Sequence, residues 1–220
     1  MDHNRIAPTP AVRRLPAYLQ LLRKAMLAEE SYISSARIAR ELDLEPIQVR
    51  KDLSLTGLAG QPRLGFDVKA MINAIELFLG WDNTNDAFLI GAGNLGSALV
   101  GYNGFMDFGL NISALFDNDD DKVGSEIHGR KVYSLDQLID LAWRMHVNMG
   151  VLAVSAGAAQ QVADLMVDAG IVAIWNFTPA KLKLPASVIV ERVDLAASLA
   201  VLSSRLSREL TKRRGAENGN

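Results

Sequence analysis

Residues 87–96 read Ala-Phe-Leu-Ile-Gly-Ala-Gly-Asn-Leu-Gly, and their order decides the fold class. Phe88-Leu-Ile90 is an apolar run of strand length that stops at a glycine. Gly91, Gly93 and Gly96 then follow the G-x-G-x-x-G spacing of a dinucleotide-binding turn. The first glycine permits the tight turn, the second lets a pyrophosphate approach the backbone, and the third brings the helix against the strand. Free N–H groups around Ala92, Asn94 and Leu95, at the opening of that helix, would face the phosphates. A second apolar run, Ile112-Ser-Ala-Leu-Phe116, ends in Asp117, about 20 residues past the turn. A carboxylate there is placed to hydrogen-bond the ribose hydroxyls of NAD.

Downstream, β and α patterns alternate. Strands are predicted over 87–91, 112–117, 150–154, 171–175 and 188–193, with helices over 94–107, 135–145 and 157–169. That order predicts a Rossmann-like, doubly wound parallel sheet with helices on both faces, spanning residues 86–193. A last helix, over 194–213, repeats Leu195, Leu199, Leu202 and Leu206 on one face and ends in Lys212-Arg-Arg214 before a tail that reads as disordered. With the sheet already complete, this 194–214 segment needs a surface to bury against, either its own sheet or a second subunit.

Upstream, the pattern is helical. Residues 1–12, marked by Pro8 and Pro10, read as a loose arm. Arg14 to Ala28 carries Leu15, Leu19, Leu22 and Met26 at helical spacing. Ser34-Ser35 offers an N-cap for a short helix from Ala36 to Leu42, and Pro46 suits the first turn of a helix reaching Leu55. Val49 and Leu53 face inward there, leaving Gln48, Arg50, Lys51 and Ser54 outside. Helix, turn and a second helix with an exposed basic face describe a helix-turn-helix unit. The glycine-rich stretch 57–66, with Arg63 at its centre, reads as a hairpin wing, and Val68 to Leu79 as an amphipathic helix. Residues 1–80 are thus predicted to be a winged-helix DNA-binding domain. Arg pairs with guanine and Gln with adenine in a major groove, while Lys and Ser more often meet phosphates. Arg63 would enter a minor groove or touch the backbone.

Composition narrows the chemistry. Of 220 residues, 49% are hydrophobic and 22% charged, as in an ordinary globular protein. Cysteine is absent, so thiolate nucleophiles, disulfides and cysteine-ligated metals are excluded. His3, His128 and His146 lie far apart, and no metal site is expected. No apolar run reaches membrane length and no secretory leader is visible, so a cytoplasmic protein is expected. Net charge is −2, divided as +3 over residues 1–70 and −5 over the rest, which points mildly to a polyanion partner for the first part. Tyr102 and Phe105 follow the glycine turn, and the loops at Ser155 and at Asn176-Phe-Thr-Pro179 (including Thr178) follow strand ends where ligands bind in such sheets. No strand end carries an acid–base group, so an NAD site here suggests sensing rather than turnover. The alternative is an NAD-dependent oxidoreductase with an accessory N-terminal domain. A coenzyme A module is a third reading; Asp117 opposes it, and opposes NADP, because a carboxylate repels a 2′-phosphate.

Taken together these motifs resemble the Rex family of redox-sensing transcriptional repressors. The resemblance spans about Arg14 to Leu206 and is carried by residues 14–19, 49–54, 91–96, 102–105, 116–117, 122–124, 176–179 and 193–195. It implies a homodimer that binds a pseudo-palindromic operator and leaves it when NADH binds, with the C-terminal helix swapped between subunits. It further implies that Gly91, Gly93 and Gly96 hold the pyrophosphate, that Asp117 and the Lys122 segment serve the adenosine side, and that Tyr102, Phe105 and the Asn176–Pro179 loop lie near the nicotinamide. Arg14 and Asp194 match positions that pair across a domain or subunit boundary and couple cofactor state to domain angle. Three stretches depart from the family pattern: Leu55-Thr56 after the recognition helix, Arg63-Leu-Gly-Phe66 in the wing, and Val154-Ser155 before the Ala-Gln loop.

Overall fold

Strand order places the nucleotide turn. In this computed structural model, which describes residues 7–82 and 85–217, the chain divides into two units, Met1–Thr84 and Asn85–Asn220. His3 and the last three residues of the predicted tail lie outside the described residues.

The second unit holds a seven-stranded sheet. In chain order its strands are β3 (Asn85–Ile90), β4 (Leu110–Asp117), β5 (Glu126–Ile127), β6 (Arg130–Ser134), β7 (Met149–Leu152), β8 (Ala173–Asn176) and β9 (Ile189–Arg192). Their order across the sheet is β5-β6-β4-β3-β7-β8-β9, all parallel except the β5–β6 hairpin. Without β5 this is the doubly wound order 3-2-1-4-5-6, whose direction reverses between β3 and β7. Ligands of such sheets sit at that reversal, at the carboxyl ends of the strands.

One face is covered by α7 (Leu138–Met145) and α8 (Ala159–Asp168), which bury Leu138, Ala142, Val162 and Met166 against Phe88, Phe116 and Ile174. On the other face lie α6 (Asn94–Val100) and a 3-10 turn, Asn103–Phe108, over Leu89, Leu115, Val132 and Val151. The predicted helix over 94–107 is therefore two pieces. Tyr102 is extended there, and Gly101 and Gly104 leave the segment little helical preference. The β5–β6 hairpin was not predicted; it is short and turns at His128-Gly129, both at positive φ.

The last helix, α9 (Leu195–Glu217), is longer than predicted and does not pack on its own sheet. Leu195, Leu199, Leu202 and Leu206 remain 55–64% exposed.

The first unit packs α2 (Leu15–Leu27), α3 (Ser35–Leu42), α4 (Pro46–Ser54) and α5 (Val68–Leu79) around one core. Leu15, Leu19 and Leu22 of α2 are fully buried, each stabilising the unit by about 1.5–3 kcal/mol. Part of the predicted loose arm is helical, as α1 (Thr9–Val12). The Ser34 hydroxyl accepts the Arg37 N–H to cap α3, and Asp67 caps α5 through the Ala70 N–H. A two-residue strand absent from the prediction, β1 (Tyr32–Ile33), pairs with β2 (Phe66–Asp67) and anchors the wing.

Candidate functional sites

The wing is tighter than a hairpin of two strands. Gln61 and Gly65 exchange backbone hydrogen bonds of 2.6 and 2.9 Å around Pro62, Arg63 and Leu64. Arg63 sits at the tip with φ +65°, a conformation costly for a side chain of this kind. Its guanidinium is exposed. On α4, Arg50, Lys51 and Ser54 are exposed along one stripe with Ile47, while Gln48 is half-buried at its flank. A groove of about 460 Å³ runs between α4 and the wing, lined by Arg50, Ser54, Gln61 and Arg63 with Ser34 and Ser35. The structure thus brings Arg50, Ser54 and Arg63 to one surface.

Sequence reasoning missed Asp52. It lies on the inward stripe of α4, three residues after Val49, and is 4% exposed. Its carboxylate accepts hydrogen bonds from Arg14 Nε (2.7 Å) and Nη2 (3.0 Å) and from the Tyr18 hydroxyl (2.6 Å). A carboxylate at an apolar position was the available signal, because such a group must be paired. The bond from Asp52 raises the Arg14 guanidinium above its usual range, and burial raises the Tyr18 hydroxyl. Arg14 is engaged inside its own unit. So is Asp194, which pairs with Arg192 and accepts the Ala197 N–H at 2.9 Å, and whose pKa is lowered chiefly by that backbone bond.

In the second unit a cavity of about 280 Å³ opens at the β3–β7 reversal. Gly91, Gly93, Asp117, Lys122, Val154 and Ser155 line it. Gly91 has φ +106°, and a Cβ there would overlap the Ala153 carbonyl. At Gly96 a Cβ would overlap the Gly91 carbonyl oxygen. Around Gly93 there is open space, where an approaching group meets backbone alone. The first turn of α6 has no side-chain cap.

Asp117 does two jobs where spacing suggested one. Its Oδ2 accepts the Ala92 N–H at 2.8 Å, and its Oδ1 accepts the Asp119 N–H at 3.0 Å. It therefore braces the glycine turn as well as facing the cavity. Lys122 Nζ lies 3.4 Å from Asp117 and 3.0 Å from Asp119, whose carboxyl it lowers and which in turn raises the ammonium.

Other expected ligand residues lie elsewhere. Tyr102 and Phe105 line a separate cavity of about 300 Å³ with Asn111, His128 and Arg130. Their rings continue an edge-on series through Trp175 to Phe177, at centroid spacings of 4.9, 5.4 and 4.7 Å. Asn176 and Thr178 are buried and bond each other and Ala180, so their side chains hold the loop rather than enter the glycine-turn cavity. Pro179 is exposed. Among the described residues no cluster of His, Asp and Glu would hold a metal ion, and no helix is long and apolar enough to cross a membrane.

Comparison with known proteins accounts for both units. Residues 7–54 match a family model described as a DNA-binding protein N-terminus, and residues 82–180 one described as a CoA binding domain. The redox-sensing transcriptional repressor Rex of Treponema denticola is 48% identical over 202 residues, covering 92% of this chain and 96% of the relative. The chain belongs to the Rex family of redox-sensing transcriptional repressors. A Rex-family repressor, RSP, solved with NAD+ and operator DNA, superposes with a TM-score of 0.87 at 35% identity, covering 97% of this chain and 99% of RSP. RSP solved with NADH gives 0.84 at 34% identity, covering 96% and 99%. The relatives are Rex repressors rather than enzymes, which sets the oxidoreductase alternative aside.

Proposed function

We propose that this chain binds operator DNA as a homodimer through α4 and the wing, and leaves it when NADH occupies the cavity at Gly91–Gly96. The observation that carries this reading is the pairing, in one chain, of a basic helix–wing groove with a glycine-turn cavity closed by Asp117. Relatives solved with operator DNA and with NADH support it. Gly91 to Gly96 hold the pyrophosphate by backbone N–H groups, and Asp117 holds the adenosine ribose with Lys122 and Ser155 beside it. Asp117 favours NAD(H) over a coenzyme bearing phosphate on that ribose. Asp117, Lys122 and Ser155, whose side chains line this cavity, bind and orient the nucleotide in this reading. Localisation is cytoplasmic, where operator and nicotinamide pool coexist.

Arg63 offers a test of the DNA half. Arg63→Gly relieves the positive φ and removes the cation together. Its melting temperature is expected to hold or rise slightly, while operator affinity falls several-fold, at a cost of about 1 kcal/mol. Stability and affinity falling together would assign Arg63 to folding instead.

Coupling runs through Arg14 and Asp194 in this reading. Arg14 already serves Asp52, so its capture by Asp194 exchanges one carboxylate for another and strips the recognition helix of its clamp. Asp194→Asn keeps an oxygen for the Ala197 N–H and removes the charge. It is expected to raise the NADH concentration needed for operator release by about fivefold or more. A titration superimposable on wild type would dismiss this coupling.

A further inference from the structure

We infer that Asp52 is a positioning residue for operator recognition: its buried carboxylate, held by Arg14 and Tyr18, fixes the rotation of α4 and so the direction in which Arg50 and Lys51 leave the protein. The inference rests on the DNA-binding reading above.

Helix α4 has only nine residues, and its buried positions are Val49, Asp52 and Leu53. Apolar contact through Val49 and Leu53 is non-directional and tolerates small rotations of the helix. The Asp52 clamp does not. Three charge-assisted bonds of 2.6–3.0 Å, two from the rigid fork of Arg14 and one from Tyr18, meet a single carboxylate from a helix 34–38 residues away in sequence. Tyr18 is fully buried in the core, so the clamp is referenced to the rigid part of the domain. Arg50 and Lys51 directly precede Asp52 on α4 and are exposed where Asp52 is buried, so the rotation that seats Asp52 also sets their direction. Base-edge contacts require placement within about 0.5 Å and 10–20°. A buried ion pair adds little net stability compared with apolar residues of the same size. Its use here is geometric: one orientation of α4 satisfies all three bonds.

The experiment uses the full chain. A duplex selected by the wild-type protein from a randomised library is the specific probe, and a random-sequence duplex at the same salt is the other. Asp52→Asn is expected to weaken specific binding about tenfold or more, and Tyr18→Phe, which deletes only the clamping hydroxyl, about threefold. Binding to the random duplex, and its salt slope, should stay within about twofold of wild type, because phosphate contacts tolerate small rotations. Unchanged specific affinity in both variants would overturn the inference. So would specific and random binding falling together with the folded fraction measured by thermal melting. If Asp52→Asn fails to fold, the ratio of specific to random binding in Tyr18→Phe decides. A wild-type protein that selects no sequence would overturn the operator reading itself, and the inference with it.

Discussion

Gly96→Ala should yield a repressor that no longer answers NADH. The third glycine of the turn lies where α6 passes over the end of β3. A methyl group there would overlap the Gly91 carbonyl oxygen and come within 2.9 Å of Leu89 Cδ2. The carbonyl is part of the turn, so relief requires moving the backbone that cradles the pyrophosphate. Overpacking of this kind costs typically 1–3 kcal/mol, and here the strain falls on the binding loop itself. NADH affinity is expected to fall by at least about a hundredfold, the equivalent of about 2.8 kcal/mol. The winged-helix unit has its own core, so the variant should keep its operator affinity and hold the DNA at NADH concentrations that release wild type. Calorimetric NADH titration checks the first expectation and a DNA-release titration the second. Wild-type NADH affinity in the variant would mean that the nucleotide does not lie in this turn.

The second large effect concerns α9. Its apolar face, Leu195, Leu199, Leu202 and Leu206, is more than half exposed along its whole length. A single chain leaves that stripe in water, and contiguous apolar patches of this kind mark interaction sites. Trp175 and Phe177 pack at the edge of the cluster formed with α6 and the 3-10 turn and are themselves only partly buried. Replacing Leu199 and Leu206 together by Glu is expected to give a monomer in sedimentation analysis. Operator binding should drop by about a thousandfold, because one half-site alone forfeits the effective concentration that links the two recognition helices. A double variant that stays dimeric would place the dimer interface elsewhere on the chain.

How legible this was depends on whether a feature is periodic or local. The glycine turn, β3 and Asp117 could be read because each position has a separate steric or electrostatic task, and the alternation after Asp86 follows from burying strands on both faces. The helix starts at Ser34 and Pro46 were visible as an N-cap and a first-turn proline, whereas the Asp67 cap of α5 emerged only in the fold. What escaped has no such period. Strands β1, β2 and β5 are two residues long, too short for a pattern to repeat, and β6, also missed, has five residues but fully buries only Val132. The break in the helix after Val100 is local, set by Tyr102 and two neighbouring glycines. Asp52 escaped because its partners are distant in sequence, although its place on an apolar stripe signalled a buried charge. The doubled role of Asp117 was invisible for a related reason: spacing identifies the acid, and only folding shows that the Ala92 and Asp119 amides also use it. Asn176 and Thr178 were read as lining because they follow a strand end; the structure instead closes their hydrogen bonds within the loop.

One titration tests the switch as a whole: operator binding at fixed salt, followed against NADH and, separately, against NAD+. A ligand moves a two-state equilibrium only by its differential affinity for the two states. NADH is expected to release the operator at concentrations where NAD+ leaves the complex intact. Release by neither, or equal release by both, would contradict the switch.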